Sequence, residues 1–444
     1  MHLNAVKIKN YRCFESLDID FSGTSGLFVV VGGNGAGKTT LLSAICTLLS
    51  PILTRFPFEK RPESKGMRPL DIRLVEFDQS APFAYLAANG VLRDEVEVEW
   101  DRIRFRDNSK VTKEAALGRR HDTRLLYQHV DSVIDAHNTQ KSYQLPVFAY
   151  YGTNRAVDVP KNRMLAKSMP QSFRRLMGLE NALASKTNFG RAVGWFDLLE
   201  RRELREQRDK MDISEASYCL DAVRRALESM IPQMTNPRID STTGRFAVDT
   251  VDPAGTSIRL HLDQLSDGYQ VMLGVVMDFA LRLALANPPQ SPDEDVLKTE
   301  ALLMIDEVDL HLHPLWQQRV IPDLRRTFPN TQLILTTHSP QVATTVPSQS
   351  LRILKEGKLH DVPAGTEGAE AERLLVDVFG APTRSPHVRE TELLAEYMRL
   401  VDANQADSPR ALQLRSDLDA WSQGNEPLLK RLDVRIANRK WAQK

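Results

Sequence analysis

The segment Gly32-Gly33-Asn34-Gly35-Ala36-Gly37-Lys38-Thr39 constrains this chain more than any other, because it fits the pattern GxxxxGK[ST]. It follows Leu27-Phe28-Val29-Val30-Val31, a continuous β-branched run expected of a strand buried on both faces. A helical stretch from Thr39 to about Leu49 comes after it. Glycines let the backbone turn its N–H groups toward a phosphate with no Cβ in the way, and the helix aims its positive end at the same point. Lys38 would neutralise the β and γ oxygens of a triphosphate, and Thr39 would ligate Mg²⁺. Strand, turn and helix together predict ATP binding through Gly32, Gly33, Asn34, Gly35, Ala36, Gly37, Lys38, Thr39 and Thr40.

A second element is Ala301-Leu302-Leu303-Met304-Ile305-Asp306-Glu307, two carboxylates at the end of a hydrophobic strand. Such a strand is expected beside the phosphate-loop strand, which brings Asp306 into the Mg²⁺ shell. Glu307 can then polarise a water in line with the γ-phosphate. A glutamate there, rather than an amide, predicts hydrolysis and not binding alone. A third element, Leu265-Ser266-Asp267-Gly268-Tyr269-Gln270, opens a long apolar helix. A Ser–x–Gly turn at a helix start is an anion site.

Composition bounds the remaining choices. The 444 residues allow two or three compact units at roughly 100–200 residues per domain. Lys+Arg and Asp+Glu both number 58, so a protein that coats nucleic acid indiscriminately is excluded and any DNA contact is local. Cys13, Cys46 and Cys219 lie far apart with no CxxC spacing, which excludes a disulfide scaffold or Cys-rich zinc module and fits a reducing compartment. No apolar run approaches the ~18–20 residues that span a bilayer. The richest, Val271 to Ala286, is interrupted by Asp278 and Arg282 and reads as a buried amphipathic helix. The first residues carry no signal pattern, so the chain is expected to be cytoplasmic with no membrane partner.

Along the chain, the first thirty residues read as strands with a turn at Gly23, Ser25 and Gly26. Pro51, Pro57, Pro62 and Pro69 are expected to break the first helix into a loop carrying Arg55, Lys60, Arg61, Lys65 and Arg68. Residues 71–106 look strand-rich, and 102–124 are basic (Arg102, Arg104, Arg106, Lys110, Lys113, Arg119, Arg120, Arg124). Val147-Phe148-Ala149-Tyr150-Tyr151 reads as a buried strand ending at Gly152-Thr153-Asn154-Arg155. Two short buried strands, Ala301–Ile305 and Gln332–Thr336, flank a helix in a βαβ pattern. The expected domains are a head over 1–365, with a mainly helical insertion at 155–250, and a helical region over 366–444.

These elements in this order resemble the ABC-type ATPases of the RecF, SMC and OLD branch. The resemblance includes Asn10-Tyr11-Arg12-Cys13-Phe14, where an arginine approaches the nucleotide. It includes Asp306-Glu307-Val308-Asp309-Leu310-His311-Leu312-His313-Pro314, similar to the Walker B and D-loop, and Thr336-Thr337-His338-Ser339-Pro340, similar to the switch histidine. It implies an α/β fold: an ABC-type P-loop NTPase head, a mixed central sheet with flanking helices. Arg12 would bind nucleotide, His338 would sense the γ-phosphate, Asp309 would serve the D-loop and Gln79 would be the Q-loop ligand of Mg²⁺. Ser266, Gly268 and Gln270 would complete the site of a second subunit. Asp267 departs from the family's usual glycine and is expected to cap its own helix, leaving Ser266 and the Gly268 N–H to face phosphate. His311 and His313 are expected to be structural.

Within that branch, the short stretch between Lys38 and Ser266 excludes an SMC-type coiled-coil arm, and no Toprim, HNH or zinc pattern is visible. Val147–Arg155, Gly194-Trp195-Phe196-Asp197 and Leu374–Gly380 resemble compact ATPases of bacterial antiphage systems, the Septu PtuA family and its retron-associated relatives, with the PARIS AriA family a near alternative. The resemblance implies a homo-oligomer that closes on ATP and regulates a separate nuclease subunit, HNH-type for Septu or Toprim for PARIS, docked through 366–444. RecF-like repair at DNA and a non-catalytic nucleotide-dependent scaffold are the other readings.

Overall fold

Among the described residues six strands form the central sheet, in the order Lys358–Asp361, Leu351–Lys355, Leu27–Val31, Thr331–Thr337, Ala301–Ile305 and Val147–Tyr151. All are parallel except the edge strand Lys358–Asp361. The computed structural model describes residues 1–58, 66–76, 79–92, 96–107, 109–111, 123–139, 141–156, 175–184, 186–211, 217–251 and 255–442. Leu27–Val31, Thr331–Thr337, Ala301–Ile305 and Val147–Tyr151 are buried at every position, which is why they read as unbroken apolar runs rather than alternating ones. Helices flank the sheet, giving a mixed α/β architecture.

The acidic strand does not pair with the phosphate-loop strand, contrary to expectation. Thr331–Thr337 lies between them, hydrogen-bonded to Ala301–Ile305 on one side and Leu27–Val31 on the other. The short crossover through Pro314–Gln317 and Val320–Thr327 explains this, since consecutive βαβ strands settle side by side.

A second, antiparallel sheet runs Phe14–Asp20, His2–Tyr11, Phe83–Val91, Glu97–Phe105. The helix after the phosphate loop, Lys38–Arg55, passes through Pro51 instead of stopping there. Proline at 51 removes the N–H that would bond the Thr47 carbonyl and disturbs that turn of the helix. The neighbouring Leu48 carbonyl accepts from Trp100 Nε1 at 2.8 Å, a buried donor that sequence reading could not supply. Trp100→Phe is therefore expected to cost about 0.5–1.5 kcal/mol by removing one buried hydrogen bond to a carbonyl that the helix ladder also serves. A urea melt of the full chain reads the loss.

Helix Asp267–Ala286 is long and apolar enough, by length and composition, to cross a membrane, which corrects the expectation that no run would reach that length. Of its most apolar 18-residue window 89% is buried inside the fold, so it is a core helix. Its Asp278 and Arg282 pair at 2.6 Å, and Tyr151 donates its hydroxyl to Asp278 at 2.7 Å. The described part of the insertion holds helices Gly190–Lys210 and Tyr218–Met230, followed by an antiparallel sheet of Met234–Ile239, Phe246–Val251 and Ser257–His261.

The larger unit extends from Met1 to Phe379, beyond the boundary expected at 365. Thr366 donates its hydroxyl to the Val346 carbonyl at 2.6 Å, and Leu374 and Val378 are buried in the head's core. The smaller unit, Gly380–Lys444, contains helices Arg389–Asp402, Pro409–Ser422 and Pro427–Ala442 around Leu394, Tyr397, Leu414, Leu418 and Leu432. Of the basic positions singled out above, Lys60, Arg61, Lys65, Lys113, Arg119 and Arg120 lie outside the described residues.

Candidate nucleotide site

The chain leaves strand Leu27–Val31 and enters its helix at Gly37, where φ is +108°. A Cβ there would stand 2.7 Å from Cys13 Sγ and 2.9 Å from the Phe14 ring, so both backbone conformation and space require glycine. Lys38 is only 6% exposed, and its Nζ donates to the carbonyls of Gly32 at 2.9 Å and Gly33 at 3.2 Å. Burial pulls the Lys38 pKa down, against the opposing pull of the Glu307, Asp306 and Asp309 carboxylates.

Although a strand separates them, loop and acidic strand meet. Thr39 Oγ1 donates to Asp306 Oδ2 at 2.7 Å. Thr336, on the intervening strand, donates its hydroxyl to Asp306 Oδ1 at 2.6 Å and accepts the Glu307 N–H at 2.7 Å. Asp306 is fully buried, with its own N–H on the Tyr151 carbonyl at 2.9 Å.

Glu307 turns out of the strand with φ +49°, a left-handed conformation uncommon for a residue with a side chain. Its carboxylate is a third exposed and lies 3.9 Å from His338 Nε2. Asp309 Oδ1 accepts from Thr337 Oγ1 at 2.6 Å and from the His338 N–H at 3.3 Å, so the expected D-loop carboxylate fixes the strand end that carries the histidine. Lys38, Thr39, Asp306, Glu307, Asp309 and His338 thus converge. A hydroxyl and a buried carboxylate are hard oxygen donors that suit Mg²⁺, and the loop with its ammonium suits a polyphosphate.

The other expected residues are held as follows. Arg12 Nε is held by Asp71 Oδ1 at 2.8 Å, and its N–H by the Asp71 carbonyl at 2.8 Å. Gln79 is exposed in the two-residue strand Gln79–Ser80, and among the described residues no hydrogen bond joins it to Thr39 or Asp306. Ser266, not Asp267, holds the N-cap position of its helix, and no side chain caps it. Asp267 is an exposed first-turn residue, where the helix dipole already favours a carboxylate. Gln270 Nε2 donates to the Leu265 carbonyl at 2.7 Å and so ties down its own turn. Gly268 packs against the His311 carbonyl with no room for a Cβ, so the signature turn touches the D-loop through backbone. His313 Nδ1 accepts from the Leu315 N–H at 3.4 Å, capping helix Pro314–Gln317.

Two contributors escaped the sequence reading. Thr336 bridges the two carboxylate residues, and Arg155 donates Nη2 to the carbonyls of Asp306 at 2.9 Å and Glu307 at 2.7 Å. Burial lowers the Arg155 pKa, while Asp306, Asp309 and Glu307 pull it back up. The available signal was the position of Gly152-Thr153-Asn154-Arg155 just after a buried strand, the same register of strand end that carries Asp306.

The profile of the AAA_23 family, described as an AAA domain, matches residues 5–234. The chain is 28% identical to the Retron Ec83 probable ATPase of Escherichia coli, over 98% of this chain and 86% of that one. It is 25% identical to the Retron Vc95 probable ATPase of Vibrio cholerae, over 94% and 86%. A shorter likeness, 32% identical over 31% of this chain and 36% of the other, is to Septu protein PtuA of Bacillus thuringiensis. The chain belongs to the AAA_23 family of AAA domains and is similar over nearly its whole length to retron probable ATPases.

Proposed function

We propose that this chain hydrolyses ATP at the Lys38–Asp306–Glu307 site, that two copies complete each other's sites, and that closure regulates a separate effector nuclease. The convergence of Lys38, Thr39, Asp306, Glu307 and His338 beside a glycine loop is the observation that supports this reading most. The loop N–H groups and Lys38 would hold the β and γ phosphates, and Thr39 with Asp306 would hold Mg²⁺. That ion would screen the charge on the phosphoryl oxygens. Glu307 accepts a proton from the attacking water, His338 monitors the γ-phosphate, and Asp309 keeps His338 in place.

Ser266 opens a 20-residue helix whose first N–H groups have no side-chain cap, so they remain available to phosphate held by another copy. Arg12, whose Nε is held by Asp71, is the proposed nucleotide-contacting arginine through the rest of its guanidinium. The likeness to retron ATPases spans nearly the whole chain and that to PtuA about a third, which favours a retron-type setting over a strict Septu one. The helical unit Gly380–Lys444 is the proposed docking region for the effector.

Complementation tests the shared site. Copies carrying Lys38→Ala and copies carrying Ser266→Arg should each be inactive alone. Mixed, they should recover ATP turnover, because a heterodimer holds one site with both its lysine and its serine intact. Recovery absent from a mixture shown to exchange subunits would rule out a site finished across copies.

A further inference from the structure

Arg155 lies on the short strand Asn154–Ala156, just beyond Val147–Tyr151, whose sheet neighbour is the acidic strand. It is 8% exposed, and a single guanidinium nitrogen, Nη2, reaches the two successive carbonyls of Asp306 and Glu307. Its Nε is buried without a partner among the described residues. A buried cation is costly unless something holds it, so the two carbonyls and the three nearby carboxylates are what keep Arg155 in place. The peptide it grips is the one at which the backbone turns to positive φ and sends the Glu307 side chain toward His338.

Arg155 is also anchored from behind. Asn154–Ala156 pairs in parallel with Lys186–Asn188 of the insertion. The next residue, Phe189, packs its ring onto Gly274 of helix Asp267–Ala286, where a Cβ would collide with it. A continuous run of contacts therefore joins the helix that begins at Ser266 to the backbone that aims Glu307.

We propose that Arg155 is the positioning residue for Glu307: it fixes the strained turn that points the general base, without touching nucleotide. This rests on Glu307 being that base. Arg155 supplies no charge to the phosphates. Its removal should therefore lower the rate of the chemical step and leave nucleotide affinity as it was.

The test uses the full-length protein and reads steady-state ATP turnover beside the affinity for a fluorescent ATP analogue. Arg155→Gln should lower kcat about 10²-fold, the scale on which a small misplacement acts, with affinity unchanged. Arg155→Lys should fall between that variant and the natural protein, because an ammonium keeps the charge but lacks the planar fork. In the Glu307→Gln background, Arg155→Gln should remove nothing further from the residual single-turnover rate, since the two changes strike one function.

A parallel loss of affinity in Arg155→Gln, or a further loss in the double variant, would make the arginine merely structural and overturn the proposal. If Arg155→Gln fails to melt cooperatively, Arg155→Lys decides: a kcat deficit at normal affinity supports positioning, and full activity overturns it. Normal turnover in Glu307→Gln alone would retire Glu307 as the base and the proposal with it, a result read without any change at Arg155.

Discussion

Glu307→Gln is expected to lower ATP turnover by about 10²–10⁴-fold, the usual contribution of a positioned general base. Glutamine has nearly the same shape and leaves the backbone bonds to Thr336 Oγ1 and Arg155 Nη2 in place, so the turn should persist. Lys38, Thr39 and Asp306 are untouched, so nucleotide should bind and remain bound. The proposed closed assembly of copies should then outlive its normal lifetime, measurable by size-exclusion chromatography after ATP is added. A protein in which nucleotide serves only as assembly glue would keep full function with this change. Undiminished turnover would show that Glu307 is not the base.

The second large effect concerns stability. Asp278→Ala should cost about 3–5 kcal/mol, because it leaves the Arg282 guanidinium buried without its counter-charge. Both side chains are under a tenth exposed, and Arg282 Nη1 donates to the neutral carbonyls of Gly178 at 3.0 Å and Glu180 at 2.9 Å. Burial alone would push the Arg282 pKa down, but the Asp278 charge and the Tyr151 hydroxyl outweigh it and hold the arginine charged. Tyr151 is in turn driven well above its ordinary pKa, chiefly by burial, in keeping with its hydroxyl donating to Asp278. Urea unfolding of Asp278→Ala checks the figure. Replacing both partners, as Asp278→Leu with Arg282→Met, should recover much of the loss, since an apolar pair leaves no stranded ion.

What could be read beforehand was local. The phosphate loop, the acidic strand end and the Ser-x-Gly helix start each declare themselves within eight residues, because each answers to one stretch of backbone. Strand order was not local: nothing within Ala301–Ile305 says that Thr331–Thr337 will come between it and Leu27–Val31. The first helix continues past Pro51 although the proline leaves the Thr47 carbonyl without its helical donor, an outcome that no local signal announced. Arg12 offered a recognisable motif, yet its partner Asp71 sits in a turn that no pattern tied to it. Arg155 stood in plain view after a buried strand, but two backbone carbonyls are targets without a sequence signature. The capping expected of Asp267 failed by one position, since Ser266 occupies the cap.

The threonine on the intervening strand has one more consequence. Thr336 uses its hydroxyl in both directions, toward Asp306 and from Glu307, while Thr39 reaches Asp306 from the other flank. Sliding one half of the sheet past the other would break all three links together, so anchor and acid travel as one slab. An incoming triphosphate meets groups already assembled, and little rotamer freedom remains there to be lost on docking.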